Sequence, residues 1–365
     1  MLPTMNLHIF NPEHDIALAS GLANFTAPHA GRQLRHDLGF LPALWAREGD
    51  CVMVDDTEQA QKAWQRVACQ LRTKLGKDGL TQPDITFEPM RTPVSSLKAQ
   101  SIEPWGWNSA LRAMLLRRGF NERLMPTALQ LETIRQLSHR RTAAALLPEL
   151  RMAGTVGEAF ECQEAEQVEP LLEEYGQLVM KAPWSSSGRG LRFLSVERTP
   201  LAVHANWLRN VVASQGSVMV EPYYDKVKDF GMEFYADEQG RVRYAGLSLF
   251  HTANGAYTGN LLVSENVKNK TISHYISNEL LNSIQEKICQ SLSLTFKGRY
   301  HGSFGVDMMV VANDGGFALH PCVEINLRRT MGHVAIALSP EDDDLRGVMR
   351  IEYAENNYKL KINKL

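Results

Sequence analysis

The stretch from residue 305 to residue 326 constrains this chain most. Two β-rich runs, residues 305–312 and 317–326, flank Asn313-Asp314-Gly315-Gly316. Asp-Gly between such runs is a strong hairpin signal, because both residues tolerate the positive φ that a two-residue turn demands. With Asp314-Gly315 as the turn, Asn313 pairs with Gly316 and Asp307 falls opposite Cys322. Side chains alternate along a strand and paired residues share a face. Asp307, Glu324 and Asn326 then project to one side. Two carboxylates and an amide oxygen on a rigid surface are hard-oxygen ligands, suited to Mg²⁺ that bridges phosphates. The solvated face of a surface hairpin carries similar residues, and a one-residue slip would throw Asp307 to the opposite face.

A second pattern precedes the hairpin. Val179-Met180-Lys181 reads as a strand that ends in a lysine, followed by Ala182-Pro183-Trp184 and the loop Ser185-Ser186-Ser187-Gly188-Arg189-Gly190. Small residues let backbone N–H groups approach phosphate oxygens closely, and Lys181 and Arg189 bring positive charge. The loop lacks the Gly-Lys-Ser/Thr of a Walker A motif and the glycine spacing of a dinucleotide fingerprint. A plain flexible hairpin loop would read the same way. Val218-Met219-Val220-Glu221 then runs into Pro222-Tyr223-Tyr224, with Asp229 beyond. A strand running into such a segment can link two lobes. Backbone groups there can recognise an adenine edge, and a carboxylate a few residues on can accept from ribose hydroxyls, although surface carboxylates after strands are common.

The 365 residues allow two or three domains or lobes. The first 130 residues alternate strand and helix patterns, as in a small α/β domain. Residues 6–10 and 51–54 read as strands and residues 58–77 as a helix. Asn11-Pro12-Glu13 reads as a helix start with Asn11 at the cap and Gly21 as a stop. Residues 129–150 form a helix pair or one broken helix. After about residue 152, short strands and tight turns take over, with helical stretches at 200–214 and 274–293. A net charge of -2, from 39 basic and 41 acidic residues, gives no reason to expect nucleic acid or an anionic membrane as partner. Five cysteines, none in a CxxC pair, argue against a disulfide framework or a zinc ribbon and for a reducing cytoplasm. No signal-peptide pattern and no apolar run of membrane-spanning length stand out.

The order of these pieces resembles the ATP-grasp superfamily over residues 136–335. A basic residue at a helix start precedes a strand lysine with a Gly-rich loop; a strand glutamate follows, then an aspartate and a Glu-x-Asn on late strands. The resemblance implies an α/β chain with α+β lobes: residues 1–130 as an N-terminal domain on the substrate side, 131–224 as a lid lobe and 225–365 as the catalytic lobe. It implies ATP and Mg²⁺ as cofactors, with Mn²⁺ as an alternative ion. It carries over Arg140, in Ser138-His139-Arg140-Arg141-Thr142, to the place of the family's first phosphate lysine, with Arg141 as the alternative. Lys181 takes the second lysine's place. Ser185, Ser186, Ser187, Gly188, Arg189 and Gly190 take that of the lid over the phosphates. Glu221 and Tyr223 match the adenine hinge, and Asp229 the ribose carboxylate. Asp307, Glu324 and Asn326 match the metal set, and Arg328 the arginine that steadies an acyl phosphate. Arginine at 140 in place of the usual lysine is one departure, and two more stand out. Leu327 replaces a usual proline, and Gly305 stands where some members place a catalytic arginine, so Arg328 or Arg329 would substitute.

The implied activity is ATP-dependent ligation. A substrate carboxylate becomes an acyl phosphate and an amine or other nucleophile displaces phosphate. The partners are small molecules, and the oligomeric state stays open. A kinase-like phosphotransferase and a non-catalytic nucleotide-binding protein are the alternatives. In the N-terminal domain, His14, Asp15 and Trp105-Gly106-Trp107-Asn108 are substrate-side candidates, as is the loop with His251, Asn254 and Tyr257.

Overall fold

A computed structural model describes residues 5–76, 85–185, 190–253 and 256–365. Ser186, Ser187, Gly188, Arg189 and Asn254 lie outside the described residues. The chain opens with β1 (Met5–Ile9), α1 (His14–Ser20), α2 (His29–Leu38), β2 (Cys51–Val54), α3 (Thr57–Leu75), β3 (Thr86–Pro89), β4 (Ala99–Pro104) and α4 (Ser109–Arg117). The four strands pair in parallel in the order β3-β2-β1-β4. Parallel strands need crossovers, and helices supply them. α3 shows why it forms. Asp56 accepts the Gln59 N–H as cap (3.0 Å), and Gly76 stops the helix in the left-handed region. Between them Ala60, Ala63, Trp64, Val67, Leu71 and Leu75 form one buried stripe.

The helix start expected at Asn11 lies elsewhere. α1 begins at His14 with Glu13 at its cap. Asn11 is committed across the sheet: its Nδ2 donates to Gly106 O (2.8 Å) and its Oδ1 accepts the Gly106 N–H (3.3 Å). A side chain spent on a tertiary bond cannot cap.

The helix pair at 129–150 is α5 (Ala128–Leu137) and α6 (Arg141–Leu150), split at Ser138-His139-Arg140. Next come β5 (Phe160–Cys162), α7 (Ala165–Tyr175), β6 (Gln177–Lys181), β7 (Leu191–Ser195), α8 (Ala205–Gln215) and β8 (Val218–Pro222). Their antiparallel sheet runs β5-β8-β6-β7 over its own apolar core. The remainder comprises β9 (Lys226–Ala236), β10 (Val242–Ser248), β11 (Phe250–Ala253), β12 (Ala256–Leu262), α9 (Glu265–Ile272), α10 (Asn278–Phe296), β13 (Gly302–Asn313), β14 (Gly316–Asn326), α11 (Met331–Leu338), β15 (Gly347–Ala354) and β16 (Asn357–Lys364).

β10-β9-β13-β14 is the central antiparallel sheet, and α5, α6 and α10 pack with it in the largest core. Phe230, Phe234, Phe296 and Phe304 are fully buried there, each worth about 1.5–3 kcal/mol of apolar burial. A last sheet, β11-β12-β15-β16, packs against the N-terminal helices in a shared core. Among the described residues no helix is long and apolar enough to cross a membrane.

Candidate active site

The β13–β14 hairpin turns where expected, with Asn313 opposite Gly316, and the expected pairing holds as far as Met309 opposite His320. It then shifts. Asp307 lies opposite Glu324, not Cys322, because β14 carries two extra residues between these pairs. Pro321, which has no N–H to give the ladder, sits in that irregular stretch. A shift of two keeps the alternation in phase. Asp307, Glu324 and Asn326 therefore share one face although the register differs.

Neighbouring β9 adds to the same face. Asp307 pairs with Gly231, Gly305 with Glu233 and Met309 with Asp229. Glu233 is an acid that the sequence reading missed. It is buried, accepts from Thr330 Oγ1 (2.8 Å) and sits 3.0 Å from His333 Nδ1. Gly305 has no side chain for a steric reason: a Cβ there would lie 2.6 Å from Glu233 Oε2. Asp229, Gly231 and Glu233 occur at alternate positions within an apolar strand, and that spacing was the available signal.

The electrostatics of this face are crowded. Burial pushes the Asp307 carboxyl up to about 8, and the Glu324 and Glu233 carboxylates add to the push. Asn326 Nδ2 donates to Asp307 Oδ2 (3.1 Å), and its Oδ1 accepts from Arg328 Nη2 (3.0 Å). Such clustered acids with too little counter-charge fit a divalent cation, which would relieve the repulsion. Among the described residues no three His, Cys, Asp or Glu side chains converge to hold a metal by themselves.

Arg140 reaches this set from the turn between α5 and α6. Nη2 donates to Glu324 Oε2 (2.8 Å), while Nη1 donates to Ala182 O (2.5 Å) and Ser185 Oγ (2.8 Å). One planar guanidinium thus joins the hairpin to the root of the serine-glycine loop. Arg141 faces away, toward Glu161 (3.2 Å). Lys181 is buried at the end of β6, with Nζ 2.5 Å from Glu221 Oε2. Gly190 closes the loop root, where a Cβ would lie 2.5 Å from Ser185 Oγ.

Glu221 engages Lys181 through its side chain, and the exposed Tyr223 gives its N–H to Gln177 O (2.9 Å). Asp229 accepts from Lys226 Nζ (2.5 Å) and Thr252 Oγ1 (2.7 Å).

Arg328 ties the N-terminal region to the hairpin. Its Nε and Nη2 grip Asp15 Oδ1 and Oδ2 at 2.8 and 2.7 Å. Burial alone would raise the Asp15 carboxyl, but the Arg328 charge and hydrogen bonds outweigh it and hold the group below its ordinary value. Arg329 turns the other way and stacks on Trp45 (4.4 Å). Trp105 is buried edge-on against Phe10 (4.9 Å), in a packing role. Tyr257 turns its hydroxyl to Asn260, and among the described residues no hydrogen bond or ion pair joins His251 or Tyr257 to the acidic face.

Two cavities lie near these elements. A crevice of about 20 Å³ runs between α1, the loop root and the end of β14. A larger space of about 220 Å³ opens between the end of β1, α2 and α4, beside Glu13, Arg32, Arg35 and Arg117, and none of the acidic face lines it.

No family model matches the sequence, and no curated protein matches it. Solved structures do. The biotin carboxylase domain of Hydrogenobacter thermophilus 2-oxoglutarate carboxylase, complexed with MgADP, ADP and bicarbonate, is 13% identical. That match covers 95% of this chain and 74% of that one, with a TM-score of 0.54. Campylobacter jejuni biotin carboxylase, solved as a β,γ-ATP complex, is 12% identical over 95% of this chain and 75% of that one (TM-score 0.53). N5-carboxyaminoimidazole synthetase from Staphylococcus aureus, complexed with ADP, is 14% identical over 98% and 84% (TM-score 0.49). The first two carry the assignment of architecture: this chain has the α/β ATP-grasp fold.

Proposed function

We propose that this chain is an ATP-dependent ligase that activates a small carboxylate as an acyl phosphate. The observation that carries the reading is the reach of Arg140 from the loop root to Glu324, on the face that also holds Asp307, Asn326 and Arg328. In this reading residues 131–224 are the lid lobe, 225–365 the catalytic lobe, and 1–130 the domain on the substrate side. The lid sheet and the hairpin face would hold ATP between them, with Glu221 and Tyr223 serving the base, Asp229 the ribose, and the loop of Ser185, Ser186, Ser187, Gly188, Arg189 and Gly190 the phosphates.

Asp307, Glu324 and Asn326 would hold Mg²⁺, or Mn²⁺ in its stead, and the ion would supply positive charge to offset that of the phosphates. Arg140 and Lys181 leave their present acid partners for phosphate oxygens as the nucleotide enters. A substrate carboxylate oxygen attacks the γ-phosphorus; the bond to the bridging oxygen breaks and ADP leaves. Arg328, fixed by Asp15, steadies the charge of the acyl phosphate. An amine then attacks the acyl carbon, the bond from that carbon to the phosphate oxygen breaks, and phosphate departs while the nitrogen gives up one proton to it or to water. Positioned cations carry such a reaction, so no separate nucleophilic side chain is required.

The test is phosphate release from ATP and Mg²⁺ with pooled small carboxylates and amines. Release should require both substrate types, and Glu324→Gln should lower it by about 100-fold or more. Turnover that is unchanged in Glu324→Gln refutes the reading.

A further inference from the structure

The larger cavity belongs to the N-terminal sheet, and the scheme above leaves it unused. Its place follows from topology. The chain lays down β1, β2 and β3 in one direction, then returns to put β4 on the other side of β1. The strand order therefore reverses at β1. In parallel α/β sheets, ligands bind outside the carboxyl ends of the strands at such a point. The cavity opens there. Ile9 ends β1, Met90 follows β3 and Leu111 lies in the first turn of α4, and all three line it.

Size and lining narrow the ligand. The volume of about 220 Å³ exceeds the roughly 150 Å³ of an apolar cavity that takes up benzene, so a ring or a short chain fits together with a head group. Ile9, Phe25, Leu111 and Met114 give the space an apolar wall. Arg32 and Arg35, three residues apart on α2, give it charge from one helix face. Arg32 Nη1 donates to the carbonyl of Ala27 (2.5 Å), which also lines the cavity. Arg35 Nη1 donates to Glu13 Oε1 (3.0 Å) and its Nε to Asp55 Oδ2 (3.3 Å). Both guanidinium groups are thus anchored, and each keeps an Nη2 without a partner among the described residues. The exposed Arg117 reaches the cavity from α4, and its side chain has no hydrogen bond or ion pair among the described residues. Two carboxylates, Glu13 and Asp55, answer three guanidinium groups, and one positive charge is left over. An apolar space with that surplus favours a monoanion with an apolar body, and the planar fork of arginine matches a carboxylate.

The cavity is separate from the acidic face. Glu13, at the cap of α1, and Ala17 line the cavity, whereas His14, Asp15 and Leu18 line the smaller crevice. At about 100° per residue these two sets lie on opposite sides of a helix about 10 Å across. A carboxylate held beside Arg32 and Arg35 is not the one that the ligation scheme phosphorylates.

We propose that this cavity is a second ligand site, for a small monocarboxylate with a ring-sized or short aliphatic body. The body packs against the apolar wall, and the carboxylate takes N–H groups of Arg32 and Arg35. The proposal stands apart from the ligase reading, because binding here needs neither nucleotide nor metal.

Calorimetric titration of the full chain with benzoate and with hexanoate tests it. Benzamide and benzylamine serve as the neutral and cationic counterparts of benzoate. Benzoate or hexanoate should bind about tenfold or more tightly than benzamide, and benzylamine should bind most weakly. Arg32→Gln removes an exposed charge and leaves the core alone. It should weaken carboxylate binding by about tenfold and close most of the gap to benzamide. Ala110→Phe puts a ring into the cavity from α4 and should abolish binding, with a melting curve to show that the variant folds. Carboxylate affinity should stay within about twofold when the chain is saturated with MgADP, as separate sites require.

No binding of either carboxylate at about 10 mM overturns the proposal. So does equal affinity for benzoate and benzylamine. Undiminished binding in Arg32→Gln, or in a folded Ala110→Phe, places the ligand elsewhere and also overturns it. Displacement of the carboxylate by MgADP contradicts a separate site. Wild type that binds a carboxylate but not MgADP supports this site and sinks the ligase reading.

Discussion

Arg140 and Arg328 approach the acidic face from opposite sides. Arg140 spends three of its N–H groups on Ala182, Ser185 and Glu324. A lysine keeps the charge but lacks the planar fork that spans all three. In the proposed complex Arg140 turns from Glu324 to a phosphate oxygen, and a lysine cannot hold both that oxygen and the loop root; Arg140→Lys should therefore weaken MgADP binding by about tenfold, as read by calorimetry, the change of about 1.4 kcal/mol expected for one charge-assisted bond to phosphate. Arg328 depends on Asp15, 313 residues away in sequence. Both side chains are mostly buried, at 17% and 19% exposure. Removing one partner leaves the other charge stranded, so Asp15→Ala should cost about 3 kcal/mol in a denaturant titration. An unchanged midpoint would show that the pair is dispensable. The sequence makes the carboxylates and Arg328 visible through their spacing. It does not show that Asp15 answers Arg328, because nothing local encodes a contact across 313 residues.

At the scale of elements, the hairpin explains both what was readable and what was not. Its turn was legible because Asp314-Gly315 has local turn chemistry and the flanking runs are β-rich. Its register was not, because the two extra residues around Pro321 are accommodated only in the assembled sheet. The face survived because a shift of two preserves alternation. Glu233 escaped notice because a single acid in Phe230-Gly231-Met232-Glu233-Phe234 looks like an interruption until Gly305 and Gly332 are seen to make room for it. That packing is testable. Gly305→Ala would press a methyl group onto Glu233 Oε2 and Thr330, and should cost about 1–3 kcal/mol in the same titration. The β15–β16 hairpin turns at Glu355 and Asn356, both at positive φ, without a glycine to announce it.

Across the whole molecule, that last hairpin fastens the C-terminal end onto the N-terminal helices. Tyr358 N–H donates to Asp37 Oδ2 (2.7 Å), and Ile362 N–H donates to Gln70 Oε1 (2.8 Å). Burial would raise the Asp37 carboxyl, yet bonds from Gln33, the Tyr358 N–H, His36 and Gln59 outweigh it and leave the group below its ordinary value. A depressed carboxyl stabilises above its unfolded value, about 3.9, and that contribution fades as pH falls through the folded value. The melting temperature should therefore drop as pH falls below about 4, and Asp37→Asn should flatten that dependence. Equal slopes for the two proteins would remove Asp37 from the account.

The central claim is that Asp307, Glu324 and Asn326 grip a divalent ion that carries a nucleotide. Electron paramagnetic resonance of Mn²⁺ in the presence of ADP reads this directly, without any acceptor substrate. Wild type should give a bound Mn²⁺ spectrum that requires ADP, and Asp307→Asn with Glu324→Gln should abolish it while the fold persists by circular dichroism. An undiminished bound signal in that double variant would contradict the claim.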